Sequence, residues 1–199
     1  MRCLYVLCAS AVILAAQPPT PLWLRGYSVI PTPRQARLEA GDVRFDAAWV
    51  LDASQPGAQH IAVRTLAKDL AEWHGISLRP GAAGKVLRLA VAPGAVATKA
   101  APEIDRQAYR LRVTGSLIEI AANGAPGLLY GVATLVQLLK RDPTGRLLLP
   151  RGVIEDWPTY QLRFLHWDTK HHQDRMETLR RYLDWAARFK VNMIGFELE

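Results

Sequence analysis

The stretch LRFLHWDTKHHQDRMETLRRYLDWAARFKVNMIGF, residues 162–196, decides how the rest of the chain is to be read. Leu162 to Asp168 reads as a strand. Asp174 with Glu177 three residues on has the form of a capping box. Met176, Leu179, Leu183 and Ala186 then mark one face of a helix running to about Phe189. Val191 to Phe196 is a second apolar strand. Strand, helix and strand within about forty residues form a βαβ unit, whose two strands run parallel. One such unit cannot bury both of its faces, so further chain is expected to pack on it.

Upstream, from about residue 25 to 150, the pattern is a mixed α/β layer. Ile30-Pro31-Thr32-Pro33 is extended, because a residue before proline avoids the helical region. Short strands are expected around Val43–Phe45 and Trp49–Leu51. Between Gln59 and Trp73, Val63, Leu66, Ala67 and Leu70 follow the spacing of an amphipathic helix, ended by His74-Gly75. Lys85–Val91 reads as a strand closed by Pro93-Gly94, and Tyr109–Val113 and Leu117–Ala121 alternate about Thr114-Gly115-Ser116 as a hairpin. Gly127–Leu139 is apolar nearly all round and reads as a buried helix, with Lys140-Arg141 at its end and Asp142–Gly145 as a turn. The prolines of residues 17–24 read as a linker.

Half of the 199 residues are hydrophobic and 22% are charged, which excludes a disordered chain. The net charge of +7 is scattered. No basic cluster is interleaved with aromatics, as a nucleic-acid partner would require. Met1-Arg2 precedes an apolar run, Cys3 to Ala16, of about fourteen residues, where a membrane span needs about twenty. Residues 1–16 therefore read as a signal peptide cut near Ala16, with an uncleaved membrane anchor as the competing reading. Export would make the protein secreted or periplasmic, with no membrane span after cleavage. It would also remove both cysteines, Cys3 and Cys8, and with them any disulfide.

Three stretches, in this order, resemble the front of a family-20 glycoside hydrolase. They are Ile30-Pro31-Thr32-Pro33-Arg34-Gln35, the run Gly127 to Leu139, and the span from Ile154-Glu155-Asp156-Trp157-Pro158 through Arg163 and Asp168 to Lys190-Val191-Asn192. The resemblance implies a non-catalytic, zincin-like α/β domain over residues 25–150. It also implies that residues 151–199 are the entry to a (β/α)8 TIM barrel, truncated after its first βαβ. Family members carry Arg-Gly where this chain has Arg163-Phe164, Asp-x-Ser-Arg-His where it has Asp168-Thr169-Lys170-His171-His172, and a histidine at Glu197. His166, Asp168, Lys170, Glu197 and Glu199 look more like the hexosaminidase D branch.

The implied chemistry is retaining removal of terminal GlcNAc or GalNAc, with the substrate's 2-acetamido carbonyl as nucleophile and no cofactor or metal. The Asp-Glu pair that serves it follows barrel strand four and lies beyond residue 199, so no residue here is nominated as catalytic. Arg163, Asp168 and Glu199 are the substrate-binding candidates. Arg163 matches the family arginine that binds sugar hydroxyls, or else makes a structural ion pair at a strand start. Asp168 stands near a strand end, where barrel sites gather, and could accept a sugar hydroxyl or hold Lys170 or a histidine. Glu197 and Glu199 share one face of the second strand. His171-His172 lacks the spacing of a metal pair, since adjacent residues of an extended segment point opposite ways. Trp157, Trp167 and Trp185 read as packing.

The expected partner is an N-acetylhexosamine-containing glycan. The competing readings are a hyaluronidase-like or O-GlcNAcase-like hydrolase with the same front domain, and a non-catalytic carbohydrate-binding module. Mass spectrometry of the protein from its native host should show a mature start close to Gln17. An intact Met1 on most molecules would overturn the export reading.

Overall fold

The structure, a computed structural model, describes residues 18–168 and 174–197. In chain order the elements are α1 (Pro21–Leu24), β1 (Gln35–Phe45), β2 (Trp49–Asp52), α2 (Ile61–His74), β3 (Arg79–Pro80), β4 (Lys85–Val91), α3 (Pro102–Asp105), β5 (Tyr109–Val113), β6 (Leu117–Ala122), α4 (Ala125–Leu138), β7 (Lys140–Arg141), β8 (Leu147–Asp156), β9 (Phe164–Asp168), α5 (Met176–Arg188) and β10 (Met193–Glu197). The first eight strands form one sheet in the order β1-β8-β5-β6-β4-β2-β3, with β7 paired to β8; β9 and β10 form a second. The mixed α/β expectation holds.

The large sheet is two-faced because its strands alternate. In β5, Tyr109, Leu111 and Val113 point to the core while Arg110 and Arg112 point away. In β6, Ile118, Ile120 and Ala122 do the same beside Glu119. The helices α2 and α4 cover the apolar face with Leu66, Leu70, Leu128, Val132 and Leu135. The other face carries cross-strand ion pairs, such as Arg110 Nε to Glu155 Oε1 at 2.7 Å. The α2 boundaries have clear causes. The His60 ring accepts the Ala62 N–H at the start, and Gly75, at φ 66°, ends the helix in the left-handed region.

Helix α4 lies closest to the sheet. A Cβ on Gly127 would stand 2.4 Å from the Ala108 carbonyl oxygen, and one on Gly131 2.4 Å from Ile120 Cγ2. These two residues, one turn apart, let the helix backbone rest on β5 and β6.

Four readings of the sequence are corrected. Residues 17–24, read as a linker, contain the turn α1, capped by Thr20, with Leu22 buried. Lys140-Arg141 do not end a helix. They form β7, because α4 stops at Leu138. The boundary drawn at 150 cuts through β8, which pairs with β1 and β5 as far as Asp156. Pro150 and Gly152 hide that strand's period, and the proline is accommodated where β1 bulges between Leu38 and Asp42. The capping box is also absent: Arg175 is the α5 N-cap, without a side-chain bond, and Asp174 accepts from Trp167 Nε1 at 3.1 Å.

The βαβ unit is as read. β9 and β10 are parallel, in register from Phe164 opposite Met193 to Asp168 opposite Glu197. Tyr182 of α5 meets the Trp167 ring edge-on at 4.7 Å, which covers part of one sheet face. On the other face Phe164 and Met193 stay exposed. Gly131→Ala should lower the unfolding free energy by about 1–3 kcal/mol through overpacking against Ile120, read from the denaturation midpoint. An unchanged midpoint would show that α4 can move off the sheet.

Candidate functional site

Two places collect chemically capable side chains, and they lie at opposite ends of β9. The first is the junction between the two sheets. β8 ends at Asp156, a buried residue 8% exposed. Its Oδ2 accepts from Lys190 Nζ at 2.9 Å and from the Tyr109 hydroxyl at 3.1 Å, while Oδ1 accepts the Arg34 backbone N–H at 3.2 Å. Lys190 Nζ also donates to the Tyr109 oxygen at 3.0 Å, with Thr134 Oγ1 2.6 Å from the same hydroxyl.

Lys190 reaches this network because it leaves α5 in the left-handed region, at φ 62°. Burial pulls its ammonium below the ordinary lysine range, and the Asp156 charge opposes that pull. Burial, joined by the Asp156 charge, pushes the Tyr109 hydroxyl well above its usual value.

A second tie lies two residues earlier. Arg188 donates to both oxygens of the buried Asp69 of α2, at 2.6 and 3.3 Å, and stacks 4.1 Å above the Trp73 ring. Beside the Asp156–Lys190 network, and apart from this second tie, is a cavity of about 230 Å³, lined in part by Arg34, Tyr130, Trp157, Tyr160, Arg163 and Lys190.

The second place is the C-terminal end of the β9–β10 pair. Asp168 and Glu197 are direct cross-strand neighbours. His166 Nε2 lies 3.1 Å from Glu197 Oε2. Carboxylates and an imidazole gathered at a strand end can accept and donate hydrogen bonds to a polyhydroxylated ligand. Arg163 is not with them. It precedes β9, about 16 Å of strand from Asp168. It donates to the carbonyls of Lys190 at 2.6 Å and Tyr160 at 2.9 Å and to Gln107 Oε1 at 3.0 Å, and it stacks on Tyr130.

Glu199, Lys170, His171, His172 and residues 1–16, read from the sequence as a signal peptide, lie outside the described residues. Trp167 packs against α5, Trp157 lies under the Arg34 guanidinium, and half-exposed Trp185 meets Phe189 at a tilt. Among the described residues no group of three His, Cys, Asp or Glu side chains could hold a metal ion. No described helix is long and apolar enough to cross a membrane. Reading residues one at a time missed the role of Lys190, Asp156 and Tyr109. The usable signal was the lone lysine directly after an amphipathic helix and the carboxylate before Trp157-Pro158.

The family model for glycosyl hydrolase family 20, domain 2, matches residues 26–157, and the chain belongs to that family. A β-hexosaminidase of Akkermansia muciniphila is 37% identical over 100 residues, covering 49% of this chain and 20% of that protein. One from Porphyromonas gingivalis is 27% identical over 190 residues, 92% of this chain and 24% of that one. Among solved structures, a mutant Streptomyces plicatus β-hexosaminidase in complex with GlcNAc superposes with a TM-score of 0.69 at 30% identity, over 93% of this chain and 36% of that one. A Vibrio harveyi exo β-N-acetylglucosaminidase in complex with N-acetylglucosamine gives 0.71 at 25% identity, over 85% and 25%. The chain thus spans a fifth or less of the length of the first three curated relatives, at 20%, 15% and 16%.

Lys190→Met strands the Asp156 carboxylate in a buried site and should cost about 3–5 kcal/mol of unfolding free energy. The double variant Lys190→Met/Asp156→Asn should recover part of that loss. Equilibrium denaturation decides it, and a cost below about 1 kcal/mol for the single variant would show that the pair does not hold the junction.

Proposed function

We propose that the protein acts as a retaining exo-β-N-acetylhexosaminidase that removes terminal GlcNAc or GalNAc. The observation that carries this reading is the parallel β9-α5-β10 unit docked on a family-20 front domain. In this reading the front domain is zincin-like and non-catalytic. The βαβ unit opens a (β/α)8 barrel, and exposed Phe164 and Met193 become part of its interior. Supporting it are the similar β-hexosaminidases and the structural neighbours that hold GlcNAc.

The mechanism is substrate-assisted. The 2-acetamido carbonyl attacks the anomeric carbon to give an oxazolinium ion. An Asp-Glu pair beyond residue 199 orients the acetamido group and supplies the acid, then the base for water. This chain's own share is at the sugar hydroxyls. Asp168 and Glu199, with Glu197 oriented by His166, accept hydrogen bonds from the terminal ring. Arg163, the third candidate, precedes β9 and stands at the junction, away from the strand end that carries Asp168 and Glu197, so it is not counted in this strand-end site. The leader directs export, so the glycans are envelope or extracellular ones.

Residues 1–199 purified alone should leave a chromogenic GlcNAc glycoside intact, whereas the protein extended past residue 199 should cleave it with retention. Turnover by the shorter chain would overturn this assignment and force Glu197 or Glu199 into the acid role. In the active protein, Asp168→Asn should raise KM roughly tenfold, the loss of one charge-assisted hydrogen bond.

A further inference from the structure

The junction cavity is not explained by the strand-end site. Arg34, Arg163 and Lys190 line it against one carboxylate, Asp156. Lys190 and Asp156 satisfy each other at 2.9 Å. The two guanidinium groups are held differently. Arg34 donates to the Trp157 carbonyl at 2.7 Å and the Thr159 hydroxyl at 2.8 Å. Arg163 donates to two carbonyls and the Gln107 amide oxygen. All these acceptors are neutral, and among the described residues neither guanidinium meets a carboxylate.

Two positive charges therefore border one cavity without compensation. Each guanidinium also keeps N–H donors beyond those bonds, since it has five. Each is stacked on a ring, Arg34 on Trp157 at 5.0 Å and Arg163 on Tyr130 at 4.9 Å, which fixes the direction of its fork. The remaining wall suits the apolar face of a sugar: Pro31, Pro158 and Tyr160, the last 73% exposed. At about 230 Å³ the space is smaller than drug-sized pockets, which run from about 300 Å³ upward, and matches a single ring.

We infer that the junction cavity is a non-catalytic binding site for one acidic sugar unit, a pyranose bearing a carboxylate or a sulfate. The anionic group meets the forks of Arg34 and Arg163, and the ring lies against Tyr160. The sugar part rests on the proposed glycan-hydrolase function; the anion part stands on the charge arrangement alone. Such a site would hold an acidic glycan while a neutral terminal residue occupies the strand ends.

Ligand-observed NMR titration of the full chain, with methyl glucuronide, GlcNAc 6-sulfate, GlcNAc and inorganic sulfate as probes, tests it. The acidic sugars are expected to bind at least about tenfold more tightly than GlcNAc or free sulfate, since only they combine charge-assisted bonds with ring contact. Binding should weaken between about 0.05 and 0.5 M salt. Tyr160→Ala, at an exposed ring, should weaken the acidic sugars about fivefold with an unchanged unfolding midpoint. Arg34→Gln should do so more strongly, with unfolding followed in parallel.

Equal binding of GlcNAc, equal binding of bare sulfate, no binding at all, or indifference to Tyr160→Ala would each overturn the inference. Binding is read without turnover, so failure of the hexosaminidase assay leaves this result standing, and the reverse.

Discussion

The contact on which the two-sheet arrangement depends is the buried pair of Lys190 and Asp156. A charge removed from water is costly unless a partner of opposite sign and further hydrogen bonds meet it. Here the carboxylate takes bonds from the ammonium, the Tyr109 hydroxyl and the Arg34 amide. The carboxylate and its three donors come from four distant parts of the chain, so the network forms only when β5, β8, the segment before β1 and the end of α5 are all in place. It works as a registration device: a shift of α5 by one residue would bury an ammonium and a carboxylate apart from each other.

Around that pair the packing is arranged so that α4 can serve both sheets. Its glycine positions set it tightly onto β5 and β6, and Thr134 reaches the Tyr109 hydroxyl from the same helix. At its far end Gln137 bonds the Ile30 backbone twice and also donates to the Arg188 carbonyl at 2.9 Å. One helix therefore ties the entry segment, the sheet and the βαβ unit together. This explains why α4 is apolar nearly all round although it belongs to a domain of modest size.

Elements with an unbroken period were legible in the sequence. Lys85–Val91, the β5–β6 hairpin, α2 and the strand–helix–strand succession were read within a few residues, because alternation and helical spacing are local properties. Where the local pattern is interrupted the reading failed. Pro150 and Gly152 concealed β8, and a boundary was drawn through the strand that joins β1 to β5. Asp174 looked like a cap but bonds Trp167, a partner that only the fold supplies. For the site, the pairing of Asp168 with Glu197 followed once the strands were known to be parallel. The assembly of Asp156, Tyr109 and Lys190 joins residues 34 to 81 positions apart, which no spacing rule encodes.

The direction in which β9 and β10 leave the junction has a consequence for access. Both strands begin beside the front domain, where Arg163 and Asn192 are hydrogen-bonded to each other's backbone or side chain, and both run away from it. The front domain is thus a pedestal rather than a wall. The contacts with residues 18–157 are gathered at the starts of the two strands, so the ends that carry Asp168 and Glu197 are left to be shaped by chain other than the front domain.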